Sequence, residues 1–386
     1  MQKHYPRRAV LGVVAAGALS VPLVLSGAVS AGADDLAPLH ASTDAVPGEW
    51  FVVLEETMGT ASVTPGALGI RSGDVNHTYE EVFQGYSATL TAAEVRELRA
   101  RDGVAYVEQV GVARTSVTWG LDRIDQEDLP LDDSYSTTAD GSGVSAYIID
   151  TGIDPDHPDF EGRAASAFDA YGGDGFDGNG HGTHVAGTIG SATYGVAPGA
   201  DLFGVKVLSD SGSGGYDDVI AGIDWVAANA PDGSVANLSL GGPASQAVDD
   251  AVNALADSGV FVAVAAGNEG QDANNVSPAR AEGVTTVGAS DRNDAAADFS
   301  NHGSPVDLYA PGVAIESTVP GGGVEALSGT SMASPHVAGA AALYKSANGD
   351  AGQAAIQDWL VANGGRDGLT GVPSGTVNIL LNVQGL

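Results

Sequence analysis

The chain has no cysteine among its 386 residues, so no disulfide can cross-link it. A chain of this length buries enough surface to fold without one, and bound metal ions become the natural substitute. Basic charge is scarce too. Beyond residue 114 there are 36 Asp and Glu against 7 Lys and Arg, which leaves 29 net negative charges, and Lys206 and Lys345 are the only lysines. Such a polyanion is a poor match for nucleic acid. Ordinary solubility is the plain explanation. Adaptation to a salty milieu is the one favoured here, since self-repulsion weakens when salt shortens the Debye length to about 3 Å near 1 M. The chain also lacks internal repeats and a low-complexity tail, and only one apolar run is long.

That run lies at the N-terminus. Lys3, Arg7 and Arg8 precede an apolar stretch from Ala9 to Val29, and Ala31-Gly-Ala33 offers a small-x-small cleavage site before Asp34. About 20 apolar residues can span a bilayer, so a membrane anchor is the competing reading. Pro22, the glycines and the cleavage site favour export, by the general secretory or the twin-arginine route. No stable membrane anchor is expected in the mature protein.

Asp34 to Glu49 is polar and Ala-rich and reads as a linker. Between Trp50 and Arg114, strands are expected at Trp50–Leu54, Val82–Leu90 and Ala105–Val110. Thr91, with Glu94 three residues later, opens a helix as a capping box. Directly behind an export signal, this small α/β region reads as a pro-segment. From Trp119 onward, apolar strands end at Asp150, Leu208, Leu240, Ala266 and Gly288. Helices with aligned Val219, Ile223 and Val226, and Val248, Val252 and Leu255, fall between them. Continuously apolar strands alternating with helices imply a mostly parallel sheet covered on both faces, with ligands bound at the strands' carboxyl ends.

Three runs carry the chemistry: Asp150-Thr-Gly, His181-Gly-Thr-His-Val-Ala-Gly-Thr and Gly329-Thr-Ser-Met-Ala-Ser-Pro-His. A carboxylate, an imidazole and a hydroxyl are the parts of a nucleophilic triad, and Asp…His…Ser is one of its recurring chain orders. Ser331, at a helix start, is the expected nucleophile, with Pro335 tolerated in the first turn. His181 is the expected base and Asp150 its orienting acid. Asn268 is the expected oxyanion donor. Each residue alone has a simpler explanation, as a helix cap or a turn former. His184 is read as a core histidine, because no zinc-protease Glu accompanies it. An α/β-hydrolase is rejected by the reverse chain order and the missing Gly-x-Ser-x-Gly elbow.

With these motifs the chain resembles the subtilases (subtilisin-like serine peptidases), within them the proteinase K and aqualysin branch. The resemblance implies a subtilisin-like three-layer α/β domain over 115–386. Before it come a signal peptide (1–33) and an inhibitory, chaperone-like propeptide (34–114, folded from about 49). It implies a secreted, monomeric serine endopeptidase that acts on proteins and peptides and cuts its own propeptide between Val112 and Ser116. A catalytically silent binding or inhibitor protein of the same fold is the alternative. By resemblance, Gly212, Ser213 and Gly214 pair with extended substrate. Ser239, Leu240 and Gly241, with Ala265, Ala266 and Gly267, wall an uncharged pocket for aromatic or large aliphatic side chains. Structural calcium is implied at Asp307 with the Glu282 and Val284 carbonyls, and at Asp367. Asp122, Asp125, Gln126 and Asp132 form a second cluster of hard oxygen donors. Relatives carry disulfides at positions matching Gly178, Asp210, Asn274 and Pro305, which this chain lacks.

Overall fold

The computed structural model describes residues 36–42, 45–55, 64–111 and 117–386, in two units divided between Ala113 and Arg114. The expected export signal and the Val112–Ser116 processing segment lie outside the described residues.

The N-terminal unit is a five-stranded sheet with one helix. Its elements are β1 (Leu39–His40), β2 (Ala45–Leu54), β3 (Val75–Tyr79), β4 (Gly85–Thr89), α1 (Ala92–Arg99) and β5 (Val104–Gly111). The sheet order is β1-β5-β2-β4-β3, antiparallel except where β1 joins β5. Thr91 and Glu94 form the expected reciprocal capping box. Val52, Leu54, Tyr86, Ala88 and Val107 pack against Val95 and Leu98 of α1. Two expectations need correction. The presumed linker already pairs with the sheet, Leu39 opposite Val107 and Ala45 opposite Gly111, because backbone pairing along an open strand needs no apolar signal. Val82 is outside β4 and 81% exposed.

The second unit holds α2 (Trp119–Ile124), β6 (Ser145–Asp150), β7 (Ala164–Asp169), α3 (His181–Gly190), β8 (Asp201–Lys206), α4 (Tyr216–Asn229) and β9 (Val235–Leu238). Then follow β10 (Gly242–Pro243), α5 (Gln246–Asp257), β11 (Phe261–Ala265), β12 (Val276–Ser277), β13 (Thr285–Ser290) and β14 (Leu308–Pro311). The hairpin β15 (Ile315–Val319) and β16 (Gly323–Leu327), α6 (Thr330–Asn348), α7 (Gln353–Asn363), β17 (Gly365–Arg366) and β18 (Ile379–Leu380) complete it. The central sheet runs β17-β18-β14-β13-β11-β9-β6-β8-β7, and every pairing is parallel except the one between β17 and β18.

Alternation along each strand divides the core in two. In β6 and β11, Ala146, Ile148, Phe261 and Ala263 face the cluster built with α3, α6 and α7. Their neighbours Tyr147, Ile149, Val262 and Val264 face the cluster built with α4 and α5. Both faces are covered, which is why these strands are apolar at every position. Among the described residues no helix is long and apolar enough to cross a membrane.

Candidate active site

β6, β9 and β11 lie side by side and parallel, so their carboxyl ends open on one edge. Asp150 is the last residue of β6, Ser239 follows β9, and Asn268 lies just past β11. The sheet itself gathers three of the candidate residues. Helices α3 and α6 bring the other two, His181 and Ser331, at their first turns.

Asp150 is fully buried. Its Oδ1 accepts from His181 Nδ1 at 2.7 Å and from the Thr151 N–H at 2.7 Å. Two glycines allow this approach: Gly180 caps α3 with φ +105°, and a Cβ on Gly182 would lie 2.2 Å from the Gly152 carbonyl. Burial works against the His181 imidazolium, yet the Asp150 charge and hydrogen bond, helped by Asp177, outweigh it and raise the pKa. Asp177 is a residue the sequence reading missed. Fully buried, it accepts from Thr151 Oγ1, the Asn179 and Gly180 N–H groups, and the Thr183 N–H and Oγ1. The signal was an Asp just ahead of Gly-Asn-Gly at a helix start, where its carboxylate satisfies unpaired N–H groups. His184 is a core histidine: Nε2 meets the Ile315 and Glu325 carbonyls, and burial pushes its pKa down to about 4.

Ser331 is the second residue of α6. Pro335 sits in the second turn, not the first as expected. A proline there leaves the carbonyl of the residue four before it, Ser331, without its helical donor. Ser239 Oγ supplies the missing bond at 2.8 Å. Ser239 Oγ in turn accepts from Asn237 Nδ2, and Asn237 Oδ1 accepts from Ser334 Oγ. Ser331 Oγ donates to the Ser239 carbonyl at 3.3 Å, and among the described residues it has no hydrogen bond to His181. Asn268 Oδ1 accepts from the Thr330 N–H at 2.8 Å and from Thr330 Oγ1 at 3.0 Å. That fixes the amide with its oxygen toward α6.

Two adjoining cavities open here. One of about 470 Å³ is lined by Ser239, Leu240, Gly241, Ala265, Gly267, Asn268 and Ser331, with Glu269 and Gln271 also on its wall. The pocket therefore carries a carboxylate on its wall, where its small residues alone implied an uncharged pocket. Ala266 does not line it either: fully buried, it packs with Ala273 and Tyr309, because alternate residues leaving a strand point to opposite sides. The second cavity, about 320 Å³, is lined by His181, Gly212, Ser213, Gly214 and Tyr216 and shares Ser239, Leu240 and Gly241 with the first.

The calcium candidates separate. Among the described residues no three His, Asp or Glu side chains are grouped to hold a metal, so any site must draw on amide and carbonyl oxygens. In the Asp122 cluster, Asp122 accepts from the Asp132 and Asp133 N–H groups, and Gln126 Oε1 accepts from the Asp132 N–H. Asp125 Oδ1 is buried with no donor, and burial raises its pKa to about 6. A buried, unpartnered carboxylate oxygen beside hard oxygen donors fits a calcium ion. Asp307 is less needy: Thr286 N–H and Gln357 Nε2 each donate to it, and burial raises it to about 6. Asp367 is exposed, in a left-handed turn with φ +59°.

At Gly178, Asp210, Asn274 and Pro305, where the resemblance implies a missing disulfide, polar contacts stand instead. Asp210 covers Gly178, whose Cβ would meet its carboxylate at 2.5 Å, and pairs with Lys206 at 2.8 Å. Asn274 Nδ2 donates to Ser304, next to Pro305.

Comparison with known proteins gives a consistent result. The subtilase family model matches residues 141–385, and that of peptidase inhibitor I9 matches residues 40–114. The subtilisin-like serine protease AsES of Sarocladium strictum is 45% identical, covering 90% of this chain and 93% of its own. Proteinase R of Parengyodontium album is 43% identical, with the same coverage of 90% and 93%. The extracellular serine proteinase of Thermus sp. (strain Rt41A) is 44% identical, covering 78% and 81%. The crystal structure of a cold adapted subtilisin-like serine proteinase superposes with a TM-score of 0.68 at 49% identity, covering 70% of this chain and 99% of that one.

Proposed function

Because the chain belongs to the subtilase family and is a serine protease with an inhibitor-type propeptide, we propose that Ser331, His181 and Asp150 are its catalytic triad. The observation that carries this is the 2.7 Å contact between His181 and the buried Asp150, beside a cleft that also holds Ser331 and Asn268. Ser331 Oγ attacks the peptide carbonyl while His181 Nε2 takes its proton. The tetrahedral oxyanion sits between Asn268 Nδ2 and the Ser331 N–H. Collapse expels the amine, protonated by His181, and leaves an acyl-enzyme that water hydrolyses by the reverse proton path. Proton transfer from Ser331 needs its Oγ to turn from the Ser239 carbonyl to His181, a contact that commonly tightens only with substrate bound.

Extended substrate lies between Gly212–Gly214 and Ser239–Gly241, by main-chain pairing, with an aromatic or large aliphatic residue in the 470 Å³ cavity. Calcium would be held by Asp125 with the Gln126 amide oxygen and neighbouring carbonyls, in the cluster that also contains Asp122 and Asp132, and at Asp307 with the Glu282 and Val284 carbonyls; it would cross-link loops that no disulfide ties. The protein is secreted, as an autoprocessed pre-pro-enzyme whose I9 region inhibits it until cleavage near Val112–Ser116.

Intact mass of the secreted protein tests the core of this reading. Wild type should begin near Val112–Ser116, whereas Ser331→Ala should retain the propeptide and begin near Asp34. Equal processing of both would assign maturation to another protease and remove autoprocessing from the proposal.

A further inference from the structure

We infer that Asn301 is a positioning residue for the oxyanion hole, an assignment that rests on the role proposed for Asn268. Asn301 is fully buried, lies 33 positions along the chain from Asn268, and does not line the cleft. All four valences of its side-chain amide nevertheless go to the loop that carries Asn268. Oδ1 accepts from the Glu269 N–H at 3.1 Å and from the Gln271 N–H at 3.0 Å. Nδ2 donates to the Ala266 carbonyl at 2.9 Å and to Glu269 Oε2 at 2.8 Å. The Asn301 N–H adds a fifth bond, to the Gly267 carbonyl. The orientation of the amide is unambiguous, since two N–H donors face one end and two acceptors face the other.

The loop is thereby held from both sides. Thr330, next to the nucleophile, grips the Gly267 N–H and the Asn268 side chain, while Asn301 grips the backbone before and after Asn268. Gly267 passes between them at φ +101°, so close that a Cβ would lie 2.2 Å from Asn301 Nδ2. Only a carboxamide offers two donors and two acceptor lone pairs at this size. Aspartate in its place would set a carboxylate against the Ala266 carbonyl and the Glu269 carboxylate. A donor amide works only when fixed where the oxyanion develops, and a displacement near 1 Å can cost about 100-fold.

The test is a double-mutant cycle on the secreted full-length chain, matured with a trace of wild-type enzyme. Rates are taken per titrated active site, so that only folded molecules count. Asn268→Ala alone should lower kcat by about 10²–10³, as for the equivalent change in subtilisin. Asn301→Asp alone should lower kcat by about 10- to 100-fold with KM little changed. In the Asn268→Ala background, Asn301→Asp should add less than about 2-fold, because the amide it positions is gone. Glu269→Gln should rescue part of the Asn301→Asp loss by restoring a donor opposite the new carboxylate. Asn301→Ser replaces Asn301→Asp in the cycle where the latter fails to accumulate. Additive losses would overturn the positioning role while leaving Asn268 in place; a silent Asn268→Ala would overturn the oxyanion assignment itself.

Discussion

The two sides of the cleft do similar work with different chemistry. On the side of His181, buried carboxylates dominate: Asp150 touches the ring, Asp177 ties the start of its helix, and Lys206 is tucked against the Thr151 carbonyl and Asp210. On the side of Ser331, the buried groups are amides and hydroxyls: Asn237, Ser239, Asn301, Thr330 and Ser334. The difference teaches what each side can tolerate. A charged scaffold sets a pKa and therefore a pH response. A neutral scaffold sets geometry alone, because amides and hydroxyls do not titrate in the working range.

The largest effect should come from cutting across both sides. Ser331→Ala or His181→Ala should each reduce kcat on a peptide substrate by about 10⁶, the scale measured in subtilisin, and the double variant should lose no more than either single one. A multiplicative double loss would mean the two residues do not act as a unit. Asn268→Ala comes next: its pH profile should superpose on that of wild type, because the amide it removes does not titrate. A shifted acid limb would break the contrast.

Asp177→Asn probes the charged side by pH. In the proposed triad activity requires neutral His181, whose pKa stands above its ordinary 6.5, so kcat/KM should fall as pH drops through that raised value. Removing the Asp177 charge favours the neutral ring and should move the acid limb to lower pH. A limb that stays put would show that Asp177 acts by hydrogen bonding only. The smallest effects concern stability away from the cleft. Chelation should lower the melting temperature of the inhibited enzyme by roughly 5–10 °C, and Asp125→Ala should abolish most of that response. In excess calcium, molar salt should raise the melting temperature, and a flat salt profile would sink the salt-adaptation reading.

How much of this could be read beforehand follows the same division. Asp150, His181 and Ser331 each stand in a short run with glycines beside them, and five strands show as apolar runs, so the sheet and its reactive edge were legible. Strands β7 and β14 were not: Ala164–Asp169 is small and half-buried, and Leu308–Pro311 is four residues long with a proline at its end. The supporting residues were equally hidden. Asn301 and Asn237 act through contacts 32 and 97 positions apart, and a lone Asn carries no periodic signal. Pro335 was misplaced for a related reason: only the fold shows that another strand end supplies the bond it removes.

Both lysines of the protease unit are buried, Lys206 against Thr151 and Asp210, Lys345 against Gly259 and Asp350. An amine-directed reagent such as a succinimidyl ester or an aldehyde resin therefore meets no accessible side-chain amine on that unit. Such coupling would be confined to the α-amino group of the mature chain. The enzyme would be tethered by one end, in one orientation, with its cleft unmodified.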